Sequence, residues 1–309
     1  MLDLQTAIMY WLLLCTPVFL HSIYRRLTKT TPSPTISTTS KPLPTTTSTS
    51  KILQPLQLRN VTLRNRIIRA AAYGGNSIQS MIDTHVEVAK GGVGMTTLAY
   101  ACVSNDGKTF ASQMVLTNLS PKERIGLEQM CKGVHANGAL MAIQLTHAGG
   151  FANHAVIQEK QKAPSNTFSP SNMSFSKEMS LADLERINND FVQSAAVAQK
   201  LGFDAIELHC GHGYLLSQFL SPSRNQRTDR YGGKPTGTGS RFNYPIQIIN
   251  NIRKQVGELF PIVVKFNVSD GFNSGLTMEK DVTEFIQACV QSGNVDLLVP
   301  SCGYVDQNG

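Results

Sequence analysis

Paired cysteines, basic runs and clustered carboxylates are all missing from this chain, and each absence removes a class of function. The six cysteines (Cys15, Cys102, Cys131, Cys210, Cys289 and Cys302) are scattered, with no Cys-x-x-Cys spacing. That pattern offers neither a disulfide frame nor a zinc site, so they read as small buried apolar residues. Charged residues make up only 16% of the chain and the net charge is a moderate +7. No block of Lys and Arg with interleaved aromatics occurs, so no nucleic-acid partner is expected. The Gly-x-Gly-x-x-Gly first turn of an open dinucleotide-binding sheet is missing as well. What remains is a chain of 309 residues, 41% hydrophobic, long and apolar enough to bury a sizeable core.

Composition sets the N-terminus apart. Residues 1–27 hold an apolar stretch from Leu4 to Tyr24, "AIMYWLLLCTPVFL" at its centre, followed by Arg25, Arg26 and Lys29. With its flanks this reaches a plausible spanning length, and the bases follow the apolar run where a signal peptide has them first. The positive-inside tendency puts those bases and the bulk of the chain on the cytosolic side. Two readings stay open: a membrane tether through residues 4–24 with the folded part cytosolic, or a targeting segment whose cleavage leaves an organelle-targeted or soluble protein. Residues 28–50, nearly all Thr, Ser and Pro, read as a disordered linker.

From Lys51 to Gly309 the pattern becomes strands alternating with helices. Strands are expected in Arg66–Ala72, Gly92–Val103, Ala139–His147, Phe203–His209, Pro261–Val268 and Val295–Ser301. Capping boxes at Ser120-Pro121-Lys122-Glu123 and Ser180-Leu181-Ala182-Asp183 start helices, and Gly138, Gly202 and Gly293 mark helix stops. Near-continuous apolar strands separated by helices predict a parallel sheet with helices over its outer face. Repetition of the unit favours an α/β fold of the (β/α)8 TIM-barrel type, with about six of the eight β/α units present.

In such a barrel the carboxyl ends of the strands build the active site. Those positions hold Ala71, Ala72 and Tyr73, then Tyr100, then Gln144 and His147, then His209 with His212 and Tyr214 just beyond, and Lys265. The set holds hydrogen-bond donors, one cation and small apolar positions. It lacks the facing carboxylates that glycoside hydrolysis needs. A lone strand histidine is most often structural, satisfied by a backbone partner, and a His-x-x-His pair can bind metal. Here no acid at a neighbouring strand end completes a metal site, so no metal is expected. The remaining reading is a pair of neutral imidazoles holding a substrate oxygen that gains negative charge, with Tyr214 as the proton donor.

Four stretches, "NRIIRAA", "AIQLTHAGG", "GFDAIELHCGHGYLLSQFLSPSRNQRTDRYGG" and "RF" at Arg241-Phe242, resemble the Old Yellow Enzyme family of FMN-dependent ene-reductases and NADH:flavin oxidoreductases. The resemblance runs from about Lys51 to the last residue, and the segment after the fourth strand is its most diagnostic part. It implies FMN across the strand ends. Ala71, Ala72 and Tyr73 would flank the isoalloxazine, with Tyr100 in the same cofactor-binding set. Gln144 would bond the pyrimidine edge, and Lys265 would place positive charge near N1 and O2. NADH or NADPH would supply hydride. An enone or quinone-like acceptor would bind with its oxygen on His209 and His212 and take a proton from Tyr214. The long polar loop from Phe151 to Ser176 would partly cover the site.

The departures from the family pattern carry their own expectations. Tyr73 stands where members often have Thr, Cys or Ser, and Lys265 where Arg is common, which keeps the charge and loses the planar fork. Lys234–Ser240 reads as a loop. Arg224, Arg227 and Arg230 are expected either in a solvated turn or at a nicotinamide phosphate. Barrels of this class have two strands beyond the sixth, whose loops bind the cofactor phosphate. On these residues alone, strands one and six are open edges available for self-association. The alternative to an enzyme is therefore a truncated, non-catalytic remnant that does not retain FMN.

Overall fold

The computed structural model describes residues 50–73, 77–169, 173–233, 239–271 and 274–304. Six strands form one sheet in chain order: β1 (Ile68–Arg69), β2 (Met95–Cys102), β3 (Leu140–Thr146), β4 (Ala205–Cys210), β5 (Ile262–Asn267) and β6 (Leu297–Ser301). Every neighbouring pair is parallel. The crossovers carry helices α1 (Ile78–Lys90), α2 (Pro121–His135), α3 (Leu181–Lys200), α4 (Leu215–Leu220), α5 (Asn243–Val256) and α6 (Thr283–Ser292). This is six units of a (β/α)8 barrel.

Alternation explains why the strands read as unbroken apolar runs. Met141, Ile143 and Leu145 of β3, Ile206 and Leu208 of β4, and Ile262 and Val264 of β5 face outward into the helix layer. Residues between them, Ala142, Ala205 and Val263, face inward with Met95. The amino-terminal end of that inner face is plugged by Leu58 and Leu63 from a hairpin of Leu56–Leu58 and Val61–Leu63. Both faces are therefore apolar near the barrel floor, as a parallel sheet requires. Higher up, the inward positions become Gln144, Glu207, His209, Lys265 and Asn267, and polarity there means a site.

Helix α2 begins at Ser120 and α3 at Ser180, both with complete capping boxes, and Gly138, Gly202 and Gly293 take positive φ just beyond helix ends. Among the described residues β1 pairs only with β2 and β6 only with β5, so the sheet is open. No helix among the described residues is long and apolar enough to cross a membrane, and the apolar run from 4 to 24 lies outside them, as does the linker up to residue 49.

Three expectations need correction. The segment from Phe151 to Ser176 is more than a loop: it holds the short helix His154–Ile157 and the paired strands Phe168–Ser169 and Ser174–Phe175, and its Lys162–Ala163 pairs with Lys177–Glu178 just beyond it. Cys302 is exposed, unlike the buried Cys102, Cys131, Cys210 and Cys289. Arg227 is neither solvated nor available to a phosphate. It is buried, paired with Asp229, and its Nη1 donates to the Pro164 and Met179 carbonyls at 3.0 and 2.7 Å. It ties the segment after α4 to that loop.

Candidate active site

The register of three strands places the polar residues. Glu207 of β4 lies opposite Gln144 of β3, and His209, two residues on and therefore on the same face, lies opposite Lys265 of β5. Gln144 Nε2 donates to Glu207 Oε1 at 2.8 Å, and the Tyr100 backbone N–H donates to Gln144 Oε1 at 3.3 Å. Tyr100 has φ 59° and lies where the β2–β3 register shifts between Leu98 and Ala101. A bulge with a left-handed residue is a costly arrangement for an aromatic, of the kind that collects at functional sites. It turns the Tyr100 ring over the strand ends, 6.2 Å from His209, 5.8 Å from Tyr214 and 6.3 Å from Tyr73 between ring centroids.

Beyond β4 the backbone turns sharply. His212 has φ 57° and Gly213 φ 79°. A Cβ at Gly213 would come within 2.4 Å of the Tyr304 ring, so only glycine fits. Asn267 Oδ1 accepts the His212 backbone N–H at 2.9 Å, while Asn267 Nδ2 donates to Asp270 Oδ1 at 3.1 Å and the Gly303 carbonyl at 2.8 Å. The His212 ring bonds Ser301 of β6 through Nε2 at 2.6 Å. The result is a compact cluster: His209 is 5.0 Å from His212 and 4.8 Å from Tyr214, ring to ring.

Electrostatics keep the two imidazoles and the Tyr214 phenol uncharged. Burial, then His212 and Lys265, hold the His209 imidazole well below its ordinary value, and burial with Lys265 lowers His212. Both are neutral at pH 7, each with one N–H to donate. Burial, with Tyr100 beside it, pushes the Tyr214 phenol up, so it keeps its proton. His209 is 2% exposed and neither of its ring nitrogens has a hydrogen-bond partner. A buried polar group left unsatisfied costs on the order of 1–3 kcal/mol, and such a group points to a ligand.

Of the sequence-derived residues, Tyr100, Gln144, His209, His212, Tyr214 and Lys265 come together at the ends of β2 to β5. Ala71, Ala72 and Tyr73 follow β1 at the near side, where Tyr73 is 46% exposed and packs edge-on against Phe110 at 5.1 Å. His147 does not join them. Its Nδ1 accepts the Gly149 N–H at 3.0 Å, and its Nε2, which has no hydrogen-bond partner, lies 3.5 Å from Asp106. Glu207, Asn267 and Ser301 were missed, although each is an inward position two residues from one already chosen or at the end of β6. Asp270 gave no periodic signal. A cavity of about 820 Å³ opens between the starts of α1 and α2, but none of these residues lines it.

The sequence profile of the NADH:flavin oxidoreductase / NADH oxidase family matches residues 51–306. The chain belongs to that family. The 4,4'-dithiodibutanoate disulfide reductase of Rhodococcus erythropolis is 39% identical over 266 residues, covering 84% of this chain and 64% of that protein. The NADH oxidase of Thermoanaerobacter brockii is 33% identical, covering 80% of this chain and 38% of its own length. The chain thus spans less than two thirds of either relative. Among solved structures, the old yellow enzyme homologue from Zymomonas mobilis superposes with a TM-score of 0.72 at 19% identity, over 83% of this chain and 75% of that one, which speaks for the fold. The cofactors of the NADH:flavin oxidoreductase family are FMN and a reduced nicotinamide, NADH or NADPH. The residues present suit a flavin ring: an amide held in one orientation, a largely buried cation at Lys265, small residues at Ala71 and Ala72, and an unsatisfied imidazole.

Proposed function

We propose that this chain carries the catalytic face of an FMN-dependent oxidoreductase that passes hydride from NADH or NADPH to an α,β-unsaturated carbonyl or quinone-like acceptor. The observation that carries the reading is His209, buried with both ring nitrogens unpartnered beside His212 and Tyr214.

When bound, FMN would supply the hydride-transfer chemistry between the nicotinamide and the acceptor. Gln144 and Lys265 would hold the flavin ring, and Ala71, Ala72, Tyr73 and Tyr100 would line its site. The N–H groups of His209 and His212 hold the acceptor oxygen and strengthen their bonds as charge gathers there. Neutral imidazoles suit this task because Lys265 already supplies the local positive charge. Tyr214 gives its phenolic proton to the acceptor Cα as hydride reaches Cβ, so the C=C bond gains two electrons and two hydrogens in all. Its raised pKa keeps that proton in place until carbanion character develops. Residues 1–27 complete this reading as an anchor or targeting segment, with 28–50 as the linker to the barrel.

The test is the visible spectrum of the purified full chain with FMN, before and after anaerobic NADH or NADPH, followed by an enone. A bound yellow chromophore that bleaches and recovers supports the proposal. A folded protein that binds no FMN would leave the remnant reading.

A further inference from the structure

The barrel interior holds a buried carboxyl group to which this mechanism gives no task. Glu207 is 3% exposed, on the inward face of β4 one step below His209. A lone carboxylate at such depth costs several kcal/mol unless it is paired and hydrogen-bonded. Its neighbours are two residues assigned to the flavin. Gln144 Nε2 donates to it at 2.8 Å, and Lys265 supplies the opposing charge. Burial raises its carboxyl while Lys265 and Gln144 pull it back down.

The hydrogen bonds decide how the Gln144 amide points. The Tyr100 N–H can only donate, so it selects Oε1; an ionised Glu207 can only accept, so it selects Nε2. Held from both sides, the amide has one orientation. Without Glu207 its Nε2 end loses its acceptor. Lys265, across from His209, would also lose the negative charge that offsets it.

We propose that Glu207 is a positioning residue for the flavin, locking the Gln144 amide and attenuating the Lys265 charge, and so setting how tightly the reduced cofactor is held relative to the oxidised one. This rests on the flavin reading of the site. Reduced flavin carries negative charge near N1, so it feels the Glu207–Lys265 balance, whereas oxidised flavin is neutral there.

The experiment measures the dissociation constants of oxidised and reduced FMN separately on the full chain, with urea unfolding of the FMN-free protein alongside. Glu207→Gln keeps the shape and removes the charge. It is expected to favour reduced over oxidised FMN by about tenfold, an upward shift of about 30 mV for a two-electron couple. Glu207→Asp keeps the charge and withdraws from Gln144. It is expected to weaken both forms alike and leave their ratio at the wild-type value. An unchanged ratio in Glu207→Gln, with only stability lowered, would show a structural carboxylate and overturn the proposal. Should Glu207→Gln fail to fold, Glu207→Asp decides: wild-type affinity for both forms overturns it. A wild-type chain with no affinity for either form would overturn the flavin reading itself, which separates the two failures.

Discussion

At the scale of single residues, the site trades stability for chemistry. His209 keeps two buried ring nitrogens without partners. Replacing it with an isosteric apolar group removes that penalty. His209→Leu is therefore expected to hold or gain about 1 kcal/mol in urea unfolding, while kcat/KM for an enone falls about 10²–10³-fold with the loss of one oxyanion donor. A variant that unfolds more easily would mean the imidazole is satisfied and structural. Tyr214→Phe separates the half-reactions. Proton delivery by a placed phenol is worth about 10²–10⁴-fold, so enone reduction slows by that factor while bleaching by NADH keeps its rate. Stopped-flow traces of the two halves decide it; equal slowing of both would assign Tyr214 to flavin binding instead.

At the scale of elements, the turn after β4 places the chemistry. Gly213 holds φ 79°, and a Cβ there would meet the rings of Tyr304 at 2.4 Å and Phe151 at 2.6 Å. Gly213→Ala should cost about 2–4 kcal/mol, combining left-handed strain with overpacking, and should move His212 and Tyr214 on either side. Thermal unfolding and the enone half-reaction should both suffer; a variant with wild-type stability would show that the aromatic wall yields freely. Strands β2 to β5 were legible because burial on both faces leaves long apolar runs, and α2 and α3 because Ser120 and Ser180 are local signals. The segment from Phe151 to Ser176 was not, since two-residue ladders show no period. Arg227 was misread because its carbonyl acceptors, Pro164 and Met179, are distant in sequence. Glu207 was within reach: it shares the inward phase of His209, and a charged residue inside an apolar strand is the pattern that marks a site.

At the scale of the whole molecule, buried neutral imidazoles tie folding to pH. His85 of α1 is 3% exposed, its Nδ1 lies 2.8 Å from Thr96 Oγ1, and burial, helped by the nearby Arg69 charge, lowers it to about 4. Burial lowers His209 in the same direction. The folded pKa lies below the unfolded one, so between about pH 6.5 and 4 the unfolded chain binds the extra proton. Stability present above pH 6.5 is lost as pH falls through this window, at up to about 1.4 kcal/mol per pH unit for each such group. Glu207 acts with the opposite sign: its carboxyl is raised, so protonation as pH falls relieves part of the cost of burying it. The His85 and His209 contributions therefore fall as pH drops below about 6.5. Urea midpoints across that range, compared with those of His85→Gln, measure the His85 share directly. The variant is expected to have the shallower slope by up to one proton's worth. An identical slope would mean that His85 takes up its proton in the folded protein as readily as in the unfolded chain, and that the helix-facing side of β2 tolerates charge.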